Sequence, residues 1–143
     1  MKVKQLSIFL ENQSGRLAEV SEAIGAEGVN IRALSLADTS GFGILRLIVD
    51  DIAKAHAVLK SGGFTVRETD VIAIEIPDRP GGLGSVLKIF ADAKINIEYM
   101  YAYVQKSAEN AVVIFRIDNV DEGIRTLEAK GVKMLSAKQV YGL

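Results

Sequence analysis

Leu6, Ile8 and Leu10 alternate with Ser7 and Phe9, the period-two pattern of a strand. A short polar turn follows, and then Leu17, Val20 and Ile24 recur at helical spacing. Two more strands are predicted over roughly 31–37 and 43–50, joined by a hairpin turn at Thr39-Ser40-Gly41. A second helix is predicted from near Asp51 to Gly62-Gly63, where glycine is expected to end it. A last strand is predicted over about 64–69.

The series then recurs. Residues 6–17 lie over residues 72–83, with Gly15 on Gly81 at an offset of 66. At the same offset Val20 falls on Val86, Ile24 on Phe90, and Val29-Asn30-Ile31 on Ile95-Asn96-Ile97. Residues 45–50 lie over 113–118 at an offset of 68, so the second copy carries two more residues in the hairpin before them. Leu59 then meets Leu127, and Gly63 meets Gly131.

In the second copy Ile72, Ile74 and Ile76 alternate with Ala73 and Glu75, and Leu83, Val86, Leu87 and Phe90 mark the helix. Strands are predicted over about 97–105 and 111–118 with a turn at residues 107–110. A helix from Asn119 to Gly131 and a last strand over about 132–140 complete it. Two copies are too few for a solenoid, and a duplicated small domain fits better.

The order β-α-β-β-α-β, twice, makes the fold class α+β: two tandem ferredoxin-like domains, each an antiparallel sheet covered on one face by two helices. The domains are assigned to 1–69 and 70–143. Each has only about 70 residues and would be marginal alone. No linker separates residues 65–70 from 71–76, so the copies are expected to pack tightly together about a pseudo-two-fold axis.

Composition removes much chemistry. The 143 residues include 17 Lys and Arg against 18 Asp and Glu, a net charge of −1. No electrostatic footprint for nucleic acid or for an anionic membrane surface follows from that balance. Charged residues at 24% and hydrophobic residues at 49% are an ordinary globular mix. No apolar run approaches the ~18 residues of a membrane span. The opening MKVKQLSIFL lacks a long apolar core and a small-residue cleavage site, so a cytoplasmic protein is expected. The absence of cysteine excludes thiol nucleophiles and thiolate metal sites, and the single histidine excludes a His pair on one chain. No EF-hand spacing or comparable acidic cluster is present, and no cofactor or metal is expected.

The turn between first strand and first helix is the most informative feature. It reads Asn12-Gln13-Ser14-Gly15-Arg16-Leu17 and Asp78-Arg79-Pro80-Gly81-Gly82-Leu83. Gly15 and Gly81 lack a Cβ, which lets backbone approach another group, and Ser14 and Pro80 suit a helix start. The helix that follows presents N–H groups and a positive dipole end, which suit a carboxylate. Asn12 or Asp78 could accept from an ammonium group. The same turn would also serve as an ordinary capped connection.

This strand, Asp/Asn-x-Pro-Gly-x-Leu turn, helix and Asn-Ile resembles the ACT domain over nearly all of both copies. The second copy matches through Asp78, Pro80, Gly81, Leu83, Asn96 and Ile97. The first matches through Asn12, Gly15, Leu17, Asn30 and Ile31, and departs at Ser14, where the family usually has proline. The resemblance implies a ferredoxin-like regulatory module that binds an amino acid, with ligands between two ACT domains. The first turn of one domain and the start of the second strand of the other would contribute. It implies a ligand shell of Asn12, Ser14, Gly15, Arg16, Leu17, Asn30 and Ile31 in the first copy. In the second copy the shell is Asp78, Pro80, Gly81, Gly82, Leu83, Asn96 and Ile97. Arg16 and Gly82 differ, so the two shells are not chemically equal. The resemblance also implies a homodimer.

Several residues keep bland readings. Asn30 and Asn96 tolerate the left-handed conformation and could shape a turn as well as touch a ligand. His56 shares a helix stripe with Ile52 and Leu59 and suits its edge better than catalysis. Tyr99, Tyr101 and Tyr103 share one strand face and suit packing or an interface more than ligand contact. Gly81-Gly82-Leu83-Gly84-Ser85 matches neither the dinucleotide loop nor the P-loop.

The expected function is therefore a non-catalytic small-ligand binding regulatory protein of amino-acid metabolism. The ligand would be an amino acid, and a metabolic enzyme is a candidate partner. The alternatives are a protein-interaction module, or the regulatory subunit of a biosynthetic enzyme with degenerate ligand sites. A ferredoxin-like enzyme is disfavoured by the missing acid–base constellation.

Overall fold

A computed structural model of the chain describes residues 1–39, 41–103 and 109–143, with only the main chain of Thr39. They separate into two compact units: Lys4–Thr69, and Asp70–Leu143 together with Met1–Val3.

The first unit contains β1 (Val3–Glu11, from Lys4 onward), α1 (Arg16–Ala26), β2 (Ile31–Thr39), β3 (Phe42–Val49) and α2 (Ile52–Ser61). It also takes in residues 65–69, the opening of β4 (Thr65–Pro77). The strands β2, β3 and β1 lie side by side and antiparallel, with Leu6 opposite Leu47 and Leu36 opposite Leu45. Leu6, Ile8 and Leu10 meet Val20 and Ile24 of α1, Leu45, Leu47 and Val49 of β3, and Leu59 of α2 in one core. Each such side chain contributes roughly 1.5–3 kcal/mol when fully buried, so this shared apolar face fixes the register of the strands.

The second unit repeats the plan with the rest of β4, then α3 (Gly82–Asp92), β5 (Ile97–Ala102), β6 (Asn110–Ile117), α4 (Val120–Ala129), β7 (Met134–Leu135) and α5 (Ala137–Tyr141). β4 pairs with β6, β6 with β5, and β7 with β4, all antiparallel. Ile72, Ile74 and Ile76 pack with Val86, Phe90, Val113, Phe115, Ile117 and Leu127, with Phe90 and Phe115 tilted at 5.4 Å between ring centres. In both units the second helix starts at a side-chain cap: Asp51 accepts from Lys54 N–H and Asn119 from Glu122 N–H. Gly63 and Gly131, both with positive φ, follow these helices as the sequence predicts.

Three sequence expectations are corrected. The strands predicted over 64–69 and 72–76 are one continuous strand, β4, because residues 65–76 contain no proline or glycine to interrupt them. The strand predicted over 132–140 is only the two residues of β7, followed by α5. Ser136 and Gln139 form a capping box there and start a helix instead. Ser14 does not cap α1; Gly15 holds that position without a side chain. On the sheet faces away from the helices, Gln5 and Ser7 of the first unit and Val71, Ala73, Glu75, Val112 and Ile114 of the second are buried. Gln5 Nε2 donates to Ser7 Oγ at 2.9 Å, which satisfies polar groups that burial would otherwise penalise. Ser40 and the first part of the turn predicted at 107–110 lie outside the described residues.

Candidate functional site

The two first turns are built alike. After β1, Gln13 N–H donates to Glu11 O at 2.8 Å; after the paired part of β4, Arg79 N–H donates to Pro77 O at 2.9 Å. Asn12 N–H reaches Gly41 O at 3.3 Å and Asp78 N–H reaches Glu109 O at 3.3 Å. Gly15 (φ 91°) and Gly81 (φ 86°) then turn the chain into its helix in the left-handed region. Nothing lies within 4 Å of a Cβ built on either, so glycine stands there for its φ and not for close approach. Close approach belongs to Gly82, where a Cβ would stand 2.2 Å from Pro77 O. No side chain caps α1 or α3; Arg16 N–H turns back to Gln13 O and Gly82 N–H to Arg79 O, so an anion could meet only the next N–H groups of each first turn.

The first turn lines a cavity of about 140 Å³ with Leu10, Glu11, Asn12, Gln13, Arg16 and Leu17 on one side. Leu36, Ala37, Asp38 and Gly43 of β2 and β3 close the other side. That volume is below the roughly 300–1,000 Å³ of sites for drug-sized ligands and suits a small molecule. Arg16 is held in place: its Nη1 donates to Glu19 Oε2 at 2.7 Å, and its guanidinium lies 4.7 Å from the centre of the Phe64 ring. Its Nε is buried without a hydrogen-bond partner. Sequence reasoning named Asn12, Arg16 and Leu17 but missed Glu11, Leu36 and Asp38. The register β1–β3–β2, which brings Leu10, Gly43 and Asp38 into one row, was the signal that could have found Asp38.

Ile31 lines a second, apolar cavity of about 200 Å³ with Leu17, Val20, Ser21, Leu34, Leu45 and Leu47. Asn30, just before β2, lies at the far end of that strand from Asp38, about 26 Å away at some 3.3 Å per residue. The unit therefore gathers Asn12, Arg16 and Leu17 around one cavity and does not bring Asn30 to them. Ser14 is exposed beside Gly15. In the second unit Asp78, Pro80, Gly81 and Asn96 are exposed, Leu83 is 39% exposed, Ile97 is half-buried and Gly82 is buried.

Asn30 and Asn96 do not adopt the left-handed conformation; among the described non-glycine residues only Lys94 has a positive φ. His56 is half-buried on α2 with Nδ1 2.6 Å from Glu68 Oε2, a partner the sequence did not indicate. Tyr101 and Tyr103 are buried, and the Tyr103 hydroxyl donates to the Val140 carbonyl of α5, which makes it a packing residue. No group of three or more His, Asp or Glu that could hold a metal exists among the described residues. No described helix is long and apolar enough to cross a membrane.

The family model for the ACT domain pair matches residues 1–142. The chain belongs to that family. This ACT pair is also similar to the crystal structure of protein BT0572 from Bacteroides thetaiotaomicron. The two share 45% identity over 100% of this chain and 98% of that one, with a TM-score of 0.94. The ligand-free regulatory subunit of aspartate kinase from Thermus thermophilus is similar in fold at 15% identity and a TM-score of 0.63, covering 88% of this chain and 91% of that one. Aspartate kinase from Synechocystis is similar in fold at 21% identity and a TM-score of 0.58, covering 96% of this chain and 28% of that one. No curated relative matches the ACT pair. Its tandem ferredoxin-like architecture and its place among regulatory modules follow from the family match.

Proposed function

We propose that this ACT pair is a non-catalytic, cytoplasmic regulator of amino-acid metabolism that binds an amino acid, with functional domains 1–69 and 70–143. One observation carries the reading: the cavity at the first turn offers a cation, Arg16, and two carboxylates, Glu11 and Asp38, around one small open cleft. An α-amino acid carries the complementary pair of charges. Its carboxylate meets Arg16 and the start of α1, and its ammonium meets a side-chain oxygen such as Asn12, or Asp78 in the second copy. Ser14, Gly15 and Leu17, and Pro80, Gly81, Gly82 and Leu83, shape the two turns. Asn30 and Ile31, with Asn96 and Ile97, complete the shell from another ACT domain, supplied in a homodimer by the second copy.

The homodimer has a surface to form on. β2 ends the row β2-β3-β1, and Leu34 and Leu36 on it are 47% and 55% exposed, beside Phe42. An edge strand carries unpaired main-chain groups, and a two-fold axis lets the same residues serve both copies. The same exposed leucines favour a second reading, in which the partner is a metabolic enzyme regulated through this strand.

The test is thermal unfolding of the purified chain against each of the twenty amino acids. A ligand at about 100 times its Kd adds roughly 2.7 kcal/mol of stability, a shift of several degrees for a domain of this size. One or two selective amino acids are expected to raise Tm. A flat panel together with a stable enzyme partner moves the assignment to the interaction reading.

A further inference from the structure

Resting on the amino-acid-binding reading, we infer that the ligand is an amino acid with an uncharged aliphatic side chain, held in the first unit with Arg16 as its carboxylate anchor. The second turn holds no equivalent ligand.

The lining of the cavity divides by chemistry. Arg16, Glu11 and Asp38 supply both signs of charge, and Asn12 and Gln13 supply amide groups. These match an α-carboxylate and an α-ammonium and leave no second cation to neutralise an acidic side chain. The rest of the wall is Leu10, Leu17, Leu36 and Ala37. Leu36 lies over Gly43: a Cβ at Gly43 would stand 3.2 Å from Leu36 Cδ1. A side chain entering there meets methyl groups and loses its hydration, which favours an aliphatic group and penalises a polar one. The cavity of about 140 Å³ also limits the ligand to a small side chain.

Arg16 is prepared for the carboxylate. Glu19 and the Phe64 ring fix the plane of its guanidinium, while Nε keeps an N–H with no protein acceptor. A planar fork pre-oriented in this way loses little freedom when it binds a second carboxylate.

The second copy lacks these groups. At the matching positions Arg16 becomes Gly82, Glu11 becomes Pro77, and Leu36 becomes Ala102. Gly82 cannot accept a side chain, because a Cβ would collide with Pro77 O. No cation can therefore be supplied at that turn position. The second turn keeps a cation only at the exposed Arg79, in the place of Gln13, so the Arg16 arrangement occurs once per chain.

The test is isothermal titration calorimetry of the full chain with L-valine, L-leucine, L-isoleucine and L-methionine, set against L-lysine, L-aspartate, L-serine and L-glutamine. An aliphatic amino acid is expected to bind with one site per chain. Arg16→Gln should weaken it at least tenfold while Lys88→Ala, an exposed change on α3 outside both turns, changes affinity less than twofold. Leu36→Ala, which enlarges the apolar wall, should shift preference toward a bulkier aliphatic side chain. Far-ultraviolet circular dichroism confirms that each variant is folded, and Arg16→Lys, which keeps the charge, should recover part of the affinity. Binding of a charged or polar amino acid in place of the aliphatic ones overturns the inference and leaves the regulatory reading standing. Two equal sites, or binding insensitive to Arg16→Gln but lost in Asp78→Ala, overturns the placement. Failure of these eight to bind, together with a flat thermal-unfolding panel of all twenty amino acids, defeats both readings.

Discussion

Asp50 and Asn30 hold each other by two hydrogen bonds: Asp50 Oδ1 accepts Asn30 N–H at 2.9 Å, and Asp50 N–H donates to Asn30 O at 3.1 Å. Asp118 and Asn96 repeat the pair at 3.2 and 3.1 Å. Each pair ties the loop before a second strand to the end of the third. Both asparagines take part through their main chains alone, and neither sits at positive φ. The fold therefore demands the aspartates, and the asparagine side chains remain available to a ligand.

Asp50→Ala should accordingly lower stability by about 1 kcal/mol, since it removes the acceptor of a main-chain N–H at an exposed site. Asn30→Ala should stay within about 0.5 kcal/mol of the parent protein while weakening amino-acid binding. Urea denaturation and ligand titration on the same preparations separate the two effects. Equal destabilisation by both substitutions would make the Asn30 side chain structural.

Neighbouring glycines of the second turn should respond differently. Gly81→Ala strains a left-handed backbone in open space and should cost about 1–2 kcal/mol. Gly82→Ala places a Cβ 2.2 Å from the main-chain oxygen of Pro77, which cannot move aside as a side-chain tip would. Its cost should reach or exceed the upper end of the roughly 1–3 kcal/mol typical of overpacking. Denaturant midpoints of the two variants, compared with an unchanged m-value, decide the order.

The C-terminal segment illustrates how far the sequence could be read. The sequence predicts a last strand over about 132–140, in the place that residues 64–69 hold in the first copy. The spacing Ser136-x-x-Gln139 was in plain view, but a five-residue helix is too short for apolar periodicity to announce it. Tyr103 then reaches the carbonyl of Val140, a contact between residues 37 apart that no local pattern encodes. Ser136→Ala should destabilise the protein by about 1 kcal/mol through loss of the cap. Faster amide exchange at residues 137–141 than in β6 would locate the loss in α5.

The candidate site was legible only where it is local. The turn residues Asn12, Gly15 and Arg16 follow from one short motif, and the positive φ of Gly15 and Gly81 follows from their place in it. Glu11 escaped because its counterpart is Pro77, so repetition gave no signal. Asp38 and Leu36 reach the cavity through hairpin register, a non-local relationship in which a slip of one residue would turn both side chains to the other face. The long reach of β4 was legible in the missing linker and in the lack of proline and glycine over 65–76, but the repeat divided that run at the domain boundary.

The last expectation concerns the edge strand. Leu34 faces the same side of the sheet as Leu47, opposite which it sits, yet α1 leaves it 47% exposed and open to a partner. A two-fold axis across β2 would set Leu34 and Leu36 of one copy beside those of the other and cover them. Leu34→Glu places two like charges in that contact and removes little from the core of the single chain. Light scattering should therefore fall from about twice 15.4 kDa to one chain mass, with unfolding still cooperative. Leu83→Glu alters a residue of comparable exposure in the second unit and should leave the mass unchanged. A parent protein that is monomeric at micromolar concentration, or a Leu34→Glu variant that stays dimeric, would exclude β2 as the contact. The exposed leucines would then be left to a partner enzyme, which immobilised parent protein should retain and the Leu34→Glu variant should release.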